Sequence, residues 1–528
     1  MFRHLLPPLA LAVLALGLAS PAGATPVTDG CAIVKGLRAS VASGRLTGAE
    51  AARHRLTLRR ARVVLKLLPG MRAANLAAVL HDVAVQSRRY NRPRAVALFG
   101  MLETNAEYLG LHALPPSGKD VFDDEGVVYR SFPGHGLQFH PLGNFGHLNG
   151  LWMADRNEDA GVLAHALLER AIPASGARLL WEYYFPFGGG RPPWRSGMSQ
   201  SVAAQALARV GERLADRGLL TAAKRAYRSV PAGLMMQLSA GPWIRHYSFS
   251  GLVVLNAHLQ AALSLGDYAE ISADADAAAL AARMRETAAA MIPRFDTGYW
   301  THYSLGHESP LRYHLYVIQI LRRLTLRTGD EFWRTTAVRF DSYTHEPPLF
   351  RVAPLPAVLY PRPVDGFRDV ARIRFWVSKI SKVTLRLGGE PRTLWLSHGW
   401  HTLYWNPGKR KPGVYTGALT AVDLAGNVGR RTLDPIEIKV DREPPEISAT
   451  VTRTRLIWEA KDPETPWIRL TLHLRRGPTH KALSLGVRPL SGKARIKVPR
   501  GTWRVTLVAA DSSGNRVWLR LGELGPAP

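Results

Sequence analysis

Residues 313–330 read YHLYVIQILRRLTLRTGD. Tyr313, Val317, Ile320, Leu321 and Leu324 recur at steps of three and four, which puts them on one stripe of a helix. Thr328-Gly329-Asp330 then punctuates the run. Glycine just past the last turn can end a helix in the left-handed conformation, and aspartate can cap the next one. Ser264-Leu265-Gly266-Asp267 has the same form, so both are read as tight turns of antiparallel helix hairpins. Working outward, 160–171, 198–214, 222–230, 252–265 and 272–292 carry helical spacing as well. Successive hairpins of this kind build an α/α toroid, with the aromatic-rich loops at one end forming a cleft.

Upstream, Gly48 to Ala113 is rich in Ala, Leu and Arg with helical spacing, interrupted by a stop at Pro69-Gly70. Pro115-Pro116-Ser117-Gly118 and Asp123-Asp124-Glu125 mark a boundary, after which the composition turns aromatic and His-rich. Residues 1–24 combine Arg3, an apolar run from Leu5 to Leu18 and Ala22-Gly23-Ala24, the pattern of a cleaved signal peptide. No later stretch is apolar enough to span a bilayer, since Leu252 to Leu265 is broken by Asn256, His258 and Gln260. The expectation is export without a membrane span after cleavage. Cys31, the lone cysteine, has no partner for an internal disulfide.

Downstream of Tyr343 the pattern changes. Pro347-Pro348, Pro354, Pro356, Pro361 and Pro363 read as a linker, and period-two alternation follows at 371–377 and 382–387. Asp423-Leu424-Ala425-Gly426-Asn427 recurs 88 positions on as Asp511-Ser512-Ser513-Gly514-Asn515, each copy after an alternating strand (414–422 and 503–510). Asp can cap such a turn while Gly-Asn takes positive φ. The offset is close to the roughly 100 residues of an immunoglobulin-like sandwich, which predicts two in tandem. The fold class is therefore a mainly α, toroid-type catalytic domain followed by two all-β Ig-like sandwiches. The divisions are a leader (1–24), a helical N-terminal region (25–118), the α/α domain (119–345) and two sandwiches (346–441 and 442–528).

The formal net charge is +28, and the leader holds only Arg3 of it. Such an excess favours polyanions. An exported chain rarely meets nucleic acid, so an acidic polysaccharide or cell-envelope glycan is the expected partner; a general bias toward Arg and Ala would scatter charge to the same total. Oligomeric state, a homodimer included, is left open.

Pro193-Trp194-Arg195-Ser196-Gly197-Met198-Ser199-Gln200 resembles the Pro-Trp-x-Ser-Gly-Met-Ala-Gln signature of the D-glucuronyl C5-epimerase C-terminal domain. Gly241-Pro242-Trp243-Ile244-Arg245-His246-Tyr247 with Val254-Leu255-Asn256 is similar to that family's Trp-Tyr-Glu-Glu-Tyr segment leading into Val-Leu-Asn-Gly. Phe295-Asp296-Thr297-Gly298 through Tyr303-Ser304-Leu305, and Arg312-Tyr313-His314 through Thr328-Gly329-Asp330, resemble its Tyr-Asp-Thr-Gly block and its last Tyr-His helix. Gln138-Phe139-His140-Pro141 is similar to a Gln-Tyr-His-Pro segment at the domain's start. The matches keep their order across some two hundred residues. The resemblance implies epimerisation of glucuronate residues in a polysaccharide, with no organic cofactor.

Inversion at C5, α to the carboxylate, needs a base on one face, an acid on the other and stabilisation of the anionic intermediate. The resemblance places functional tyrosines at Tyr247, Tyr303 and Tyr313. Tyrosine, ordinarily with a pKa of about 10, can serve if nearby cations lower it. Arg245, Arg312 and His314 are placed to hold a carboxylate, and Trp194, Arg195, Gln200 and Asn256 fall at family substrate-contact positions. One departure matters: His246 stands where the family has Glu. Histidine can act as a base near neutral pH, but the swap also fits a changed reaction or a glycan-binding or envelope-assembly protein without chemistry. A uronate lyase is a further alternative, because it abstracts the same proton.

Bland readings stand beside these. Tyr247 or Tyr313 alone would be a core tyrosine. Trp194 and Trp243 suit sugar stacking or core packing equally, and 181–185 is a cleft-lining strand or simply a hairpin. His135, His140 and His147 lack metal-ligand spacing, so no metal is expected. Trp376, Trp395, Trp400, Trp405 and Trp518 could make a sugar platform, although period-two spacing favours core for most.

Overall fold

The computed structural model describes residues 25–525; the leader read at 1–24 lies outside them. Residues 25–341 form one compact unit and those from 342 a second.

Twelve α-helices make up most of the first unit: α1 Pro26–Ala42, α2 Gly48–Leu67, α3 Gly70–Val85, α4 Arg92–Leu111, α5 Pro141–Met153, α6 Asn157–Glu169, α7 Gly197–Arg213, α8 Arg217–Arg228, α9 Leu255–Ser272, α10 Ala275–Phe295, α11 Leu311–Thr328 and α12 Glu331–Ser342. From α5 onward the odd-numbered helices lie side by side, α5 on α7, α7 on α9 and α9 on α11, while α6, α8 and α10 pack outside them. This is the helix-hairpin arrangement of the α/α toroid class. Composition explains which helix goes inside. α7 and α9 are buried on nearly every face, and Ala203, Ala204, Ala206, Ala257, Ala261 and Ala262 let neighbours approach from several directions. α8 buries only Leu219, Ala222, Ala223, Ala226 and Tyr227, a single stripe facing inward. The same apolar core runs from Ile33 in α1 to Met284 in α10, so α1–α4 share it.

The turn at Gly329 is present, with φ 67° in the left-handed region. The matching turn at Gly266-Asp267 is not, because both residues lie inside α9. The chain reverses instead at Ala273, φ 49°, and Asp274 caps α10 by accepting from the Ala277 amide at 3.1 Å. Asp267 is buried between inner helices, where it accepts from Gln205 Nε2 and Arg209 Nη2 at 2.6 Å each and pairs with Arg327 Nη2 at 2.9 Å. Interhelical partners hold it there, and nothing local could reveal them.

The second unit contains two β-sandwiches with separate cores. The first packs a three-stranded sheet, in order Phe350–Val352, Ala371–Val377, Gly399–Trp405, against a five-stranded one, Val358–Leu359, Val428–Ile438, Gly413–Asp423, Ser381–Leu387, Arg392–Leu396. The proline-rich stretch read as a linker thus contributes two short edge strands, with its prolines lying outside them. The second pairs a sheet of Glu446–Val451, Arg455–Lys461 and Ser491–Arg495 with one of Thr479–Pro489, Trp467–Arg476, Trp503–Ala510 and Arg516–Leu524. The repeated motifs make equivalent turns. The amides of Asn427 and Asn515 donate to Asp423 Oδ1 and Asp511 Oδ1 at 2.8 and 2.9 Å. Gly426 and Gly514 have φ of 93° and 90°, whereas the asparagines stay at negative φ. Buried Lys379 lies 3.4 Å from Asp423 and donates to the carbonyls of Tyr343 and Glu346 at 2.6 Å each.

Candidate functional site

The N-terminal ends of α5, α7, α9 and α11 meet around one narrow pocket. His140, the N-cap of α5, and Leu142 line it, as do Ser196, the N-cap of α7, with Met198, Asn256 from the first turn of α9, and Tyr313 from the first turn of α11. Helix N-termini carry partial positive charge, so four converging ends favour an anion between them. Phe132, Tyr183, Phe185, Phe187, Trp194, His246, Tyr247 and Tyr303 complete the wall.

Local bonding explains the convergence. Tyr183 and Trp194 exchange backbone hydrogen bonds of 2.8 and 3.1 Å, and their rings stack at 4.0 Å, 1° from parallel. Trp194 Nε1 donates to the Phe185 carbonyl at 2.8 Å. The Gly197 amide donates to Arg245 O at 3.0 Å, and Ser248 N donates to Arg195 O at 2.8 Å. This zips 195–197 to 245–248 and fixes His246 and Tyr247 beside α7. Glycine is required at 197: a Cβ there would sit 2.6 Å from the Arg245 carbonyl oxygen. The bridge between Val254 and Ser304 brings Tyr303 in. Its ring lies 5.0 Å from that of Tyr313.

Burial dominates the electrostatics. It holds His246 neutral by pushing its pKa down to about 4, and it lowers His140 well below the usual range. His140 Nδ1 accepts from the Gly143 amide at 2.8 Å, which leaves the ring proton on Nε2. The condition under which cations lower the tyrosine pKa values is not met here. Burial raises Tyr247, Tyr303 and Tyr313, and neighbouring tyrosines add to the rise at Tyr247 and Tyr313. Arg312 and Arg130 pull Tyr313 the other way by less. All three are phenols, able to donate a proton, while His246 is an imidazole able to accept one. Two buried atoms in the wall have no hydrogen-bond partner, His246 Nδ1 and Asn256 Oδ1.

The residues singled out from the sequence divide accordingly. Tyr247, Tyr303, Tyr313, His246, Trp194 and Asn256 come together in the pocket; Arg195, Arg245, Arg312, His314 and Gln200 are not part of its wall. Arg245 Nη1 donates to the Ser250 carbonyl at 3.3 Å, and the Arg312 guanidinium lies 5.5 Å from the Tyr313 ring centre. His314 is fully buried and stacked on Trp300 at 3.9 Å. Its Nε2 lies 2.9 Å from Phe340 O and its Nδ1 2.7 Å from Thr301 Oγ1, so the ring braces the fold. The Gln200 amide is buried against the backbone of Leu179 and Trp181. Trp243 is core, sandwiched between His258 at 3.7 Å and Phe295 at 5.8 Å. Residues 181–185 line the pocket through Tyr183 and Phe185. Phe132, Phe187 and Met198 were not foreseen. Met198 lay inside the quoted 193–200 motif, but Phe132 and Phe187 carry no sequence signal. Among the described residues, no group of three or more His, Cys, Asp or Glu is arranged to hold a metal.

Residues 175–342 match the family described as D-glucuronyl C5-epimerase C-terminus, so the family read from the motifs is found in this segment. The curated protein described as "Uncharacterized protein MJ1128", from Methanocaldococcus jannaschii, is 28% identical over 169 residues, 29% of this chain. The chain spans about half of that relative's length, 54%. Among solved structures, a sugar epimerase from a ruminal bacterium aligns with TM-score 0.34 and 11% identity over 54% of this chain and 74% of that one. A D-mannose isomerase aligns with TM-score 0.31 and 14% identity over 44% and 65%.

Proposed function

We propose that the chain is an exported uronate C5-epimerase acting on glucuronate residues of an acidic polysaccharide. The observation that carries this is the meeting of three phenols and a neutral imidazole where four helix N-termini converge. A uronate carboxylate placed there neutralises the field of the helix ends, and the same field stabilises the aci-carboxylate formed when the C5 proton leaves. His246, neutral with Nδ1 facing no partner, takes the proton. A phenol of the Tyr247, Tyr303 and Tyr313 group delivers one from the other face, burial keeping all three protonated. Phe185, Phe187 and Trp194 pack on the sugar and keep water out. In this reading His246 stands in for the family glutamate as the base.

The test is solvent exchange. The mature protein is incubated with glucuronate polymers in D2O, and deuterium at C5 is followed by NMR beside Tyr247→Phe, Tyr313→Phe and His246→Gln. Deuterium entry with iduronate signals, lost in the variants, supports epimerisation. Rising absorbance in the unsaturated-uronate band would assign a lyase instead. Binding without exchange would make the chain a glycan-binding protein.

A further inference from the structure

We propose that the outer face of the three-stranded sheet in the first sandwich is a second, non-catalytic binding site for an acidic polysaccharide. Alternation along Ala371–Val377 sends Ile373 and Phe375 to the core and Arg372, Arg374 and Trp376 outward. On the neighbouring strand Leu403 and Trp405 are core, while Trp400 and Tyr404 point out, 51% and 57% exposed. The register sets Trp376 opposite Trp400 and Arg372 opposite Tyr404. The third strand puts Arg351 opposite Trp376.

The result is a ladder in which guanidinium and ring alternate. Arg351 Cζ lies 4.8 Å from the Trp376 ring centre and Arg374 Cζ 4.9 Å from that of Trp400. Trp400 and Tyr404 form an exposed aromatic patch of the kind that marks an interaction surface, and a row of arginines with no acidic residue in any of the three strands selects an anion. Ring faces suit the apolar faces of sugars, and guanidiniums suit carboxylates in bidentate fashion. A polymer with a carboxylate on its sugars satisfies both along one strand pair. The other exposed tryptophans, Trp395 and Trp518, lie outside these three strands and are not part of the ladder. This shares the acidic-glycan ligand class with the proposed function but stands on different residues, so the two can fail separately.

The test is affinity electrophoresis of the full mature chain in gels containing hyaluronan, dextran or polyglutamate. The chain should be retarded by hyaluronan and not by dextran. Trp400→Ala with Arg374→Gln, both exposed positions, should weaken retardation roughly tenfold, the loss of a contact worth about 1.4 kcal/mol. Trp518→Ala, an exposed ring outside the ladder, should leave it unchanged. Unaltered retardation of the double variant, or an equal loss in Trp518→Ala, would overturn the proposal while leaving the catalytic reading standing. So would equal retardation by polyglutamate, which would mean charge alone, or no retardation of the unaltered chain by hyaluronan.

Discussion

Replacing Asp267 by alanine should destabilise the helical unit far more than removal of a helix cap would. Asp267 lies inside α9 with a side chain 5% exposed, and Gln205 of α7, Arg209 of α7 and Arg327 of α11 all bond to it. Its loss leaves Arg209, 14% exposed, with the Asn149 Oδ1 contact at 2.7 Å and the Trp152 ring 4.7 Å away. Removing one partner of a buried ion pair costs about 3–5 kcal/mol. Arg327 is half-exposed and keeps Glu270 at 3.2 Å, so that arm adds at most about 1 kcal/mol. A mere N-cap would cost about 1 kcal/mol, the magnitude expected at Asp274, which does cap a helix. Asp267→Asn retains volume and an acceptor and should fall between. The assay is urea unfolding of the full chain followed by the helical far-ultraviolet signal, which the β-sandwiches contribute to little. If Asp267→Ala costs no more than Asp274→Ala, the argument that a buried ionic hub ties the inner helices together is wrong.

Acid should destabilise the protein through His246. Its folded pKa, about 4, lies below the ordinary 6.5, so between those values the unfolded chain binds more protons and stability rises with pH. The contribution is whole above about 6.5 and is lost as pH falls toward about 4, up to about 3 kcal/mol; His246→Gln should flatten that part of a urea-midpoint profile. If His246 is the base, the acid limb of C5 exchange should fall near pH 4, and a limb near 6.5 would count against it. Gly197→Ala must push its Cβ off the Arg245 carbonyl; we expect a loss of about 1–3 kcal/mol by urea unfolding and slower exchange. Lys379→Met removes the cation beside buried Asp423 and should cost the first sandwich about 3–5 kcal/mol, seen as a lowered melting transition in calorimetry.

The sequence by itself determined most of the helices, the two sandwiches and several residues of the candidate pocket, because each leaves a local mark. The stripe from Tyr313 to Leu324, the alternation at 371–377 and the twin Asp-Gly-Asn turns depend on side-chain period and turn chemistry within a dozen residues. The motifs around Trp194, His246 and Tyr313 likewise held several of the residues that line the pocket. Only the tertiary structure decided that Asp267 is a hub between helices rather than a cap, since its partners lie 58 to 62 positions before it and 60 after it. It also decided that His314 and Gln200 brace the fold, that Phe132 and Phe187 complete the pocket, and that the tyrosines are held as phenols. Burial sets those pKa values and hydrogen-bond fates, and burial at each of these positions is made by chain segments far apart in sequence. The outward tryptophans of the first sandwich follow the same logic: alternation placed Trp376 and Trp400 in strands, but which face met the core was settled only when the two sheets packed.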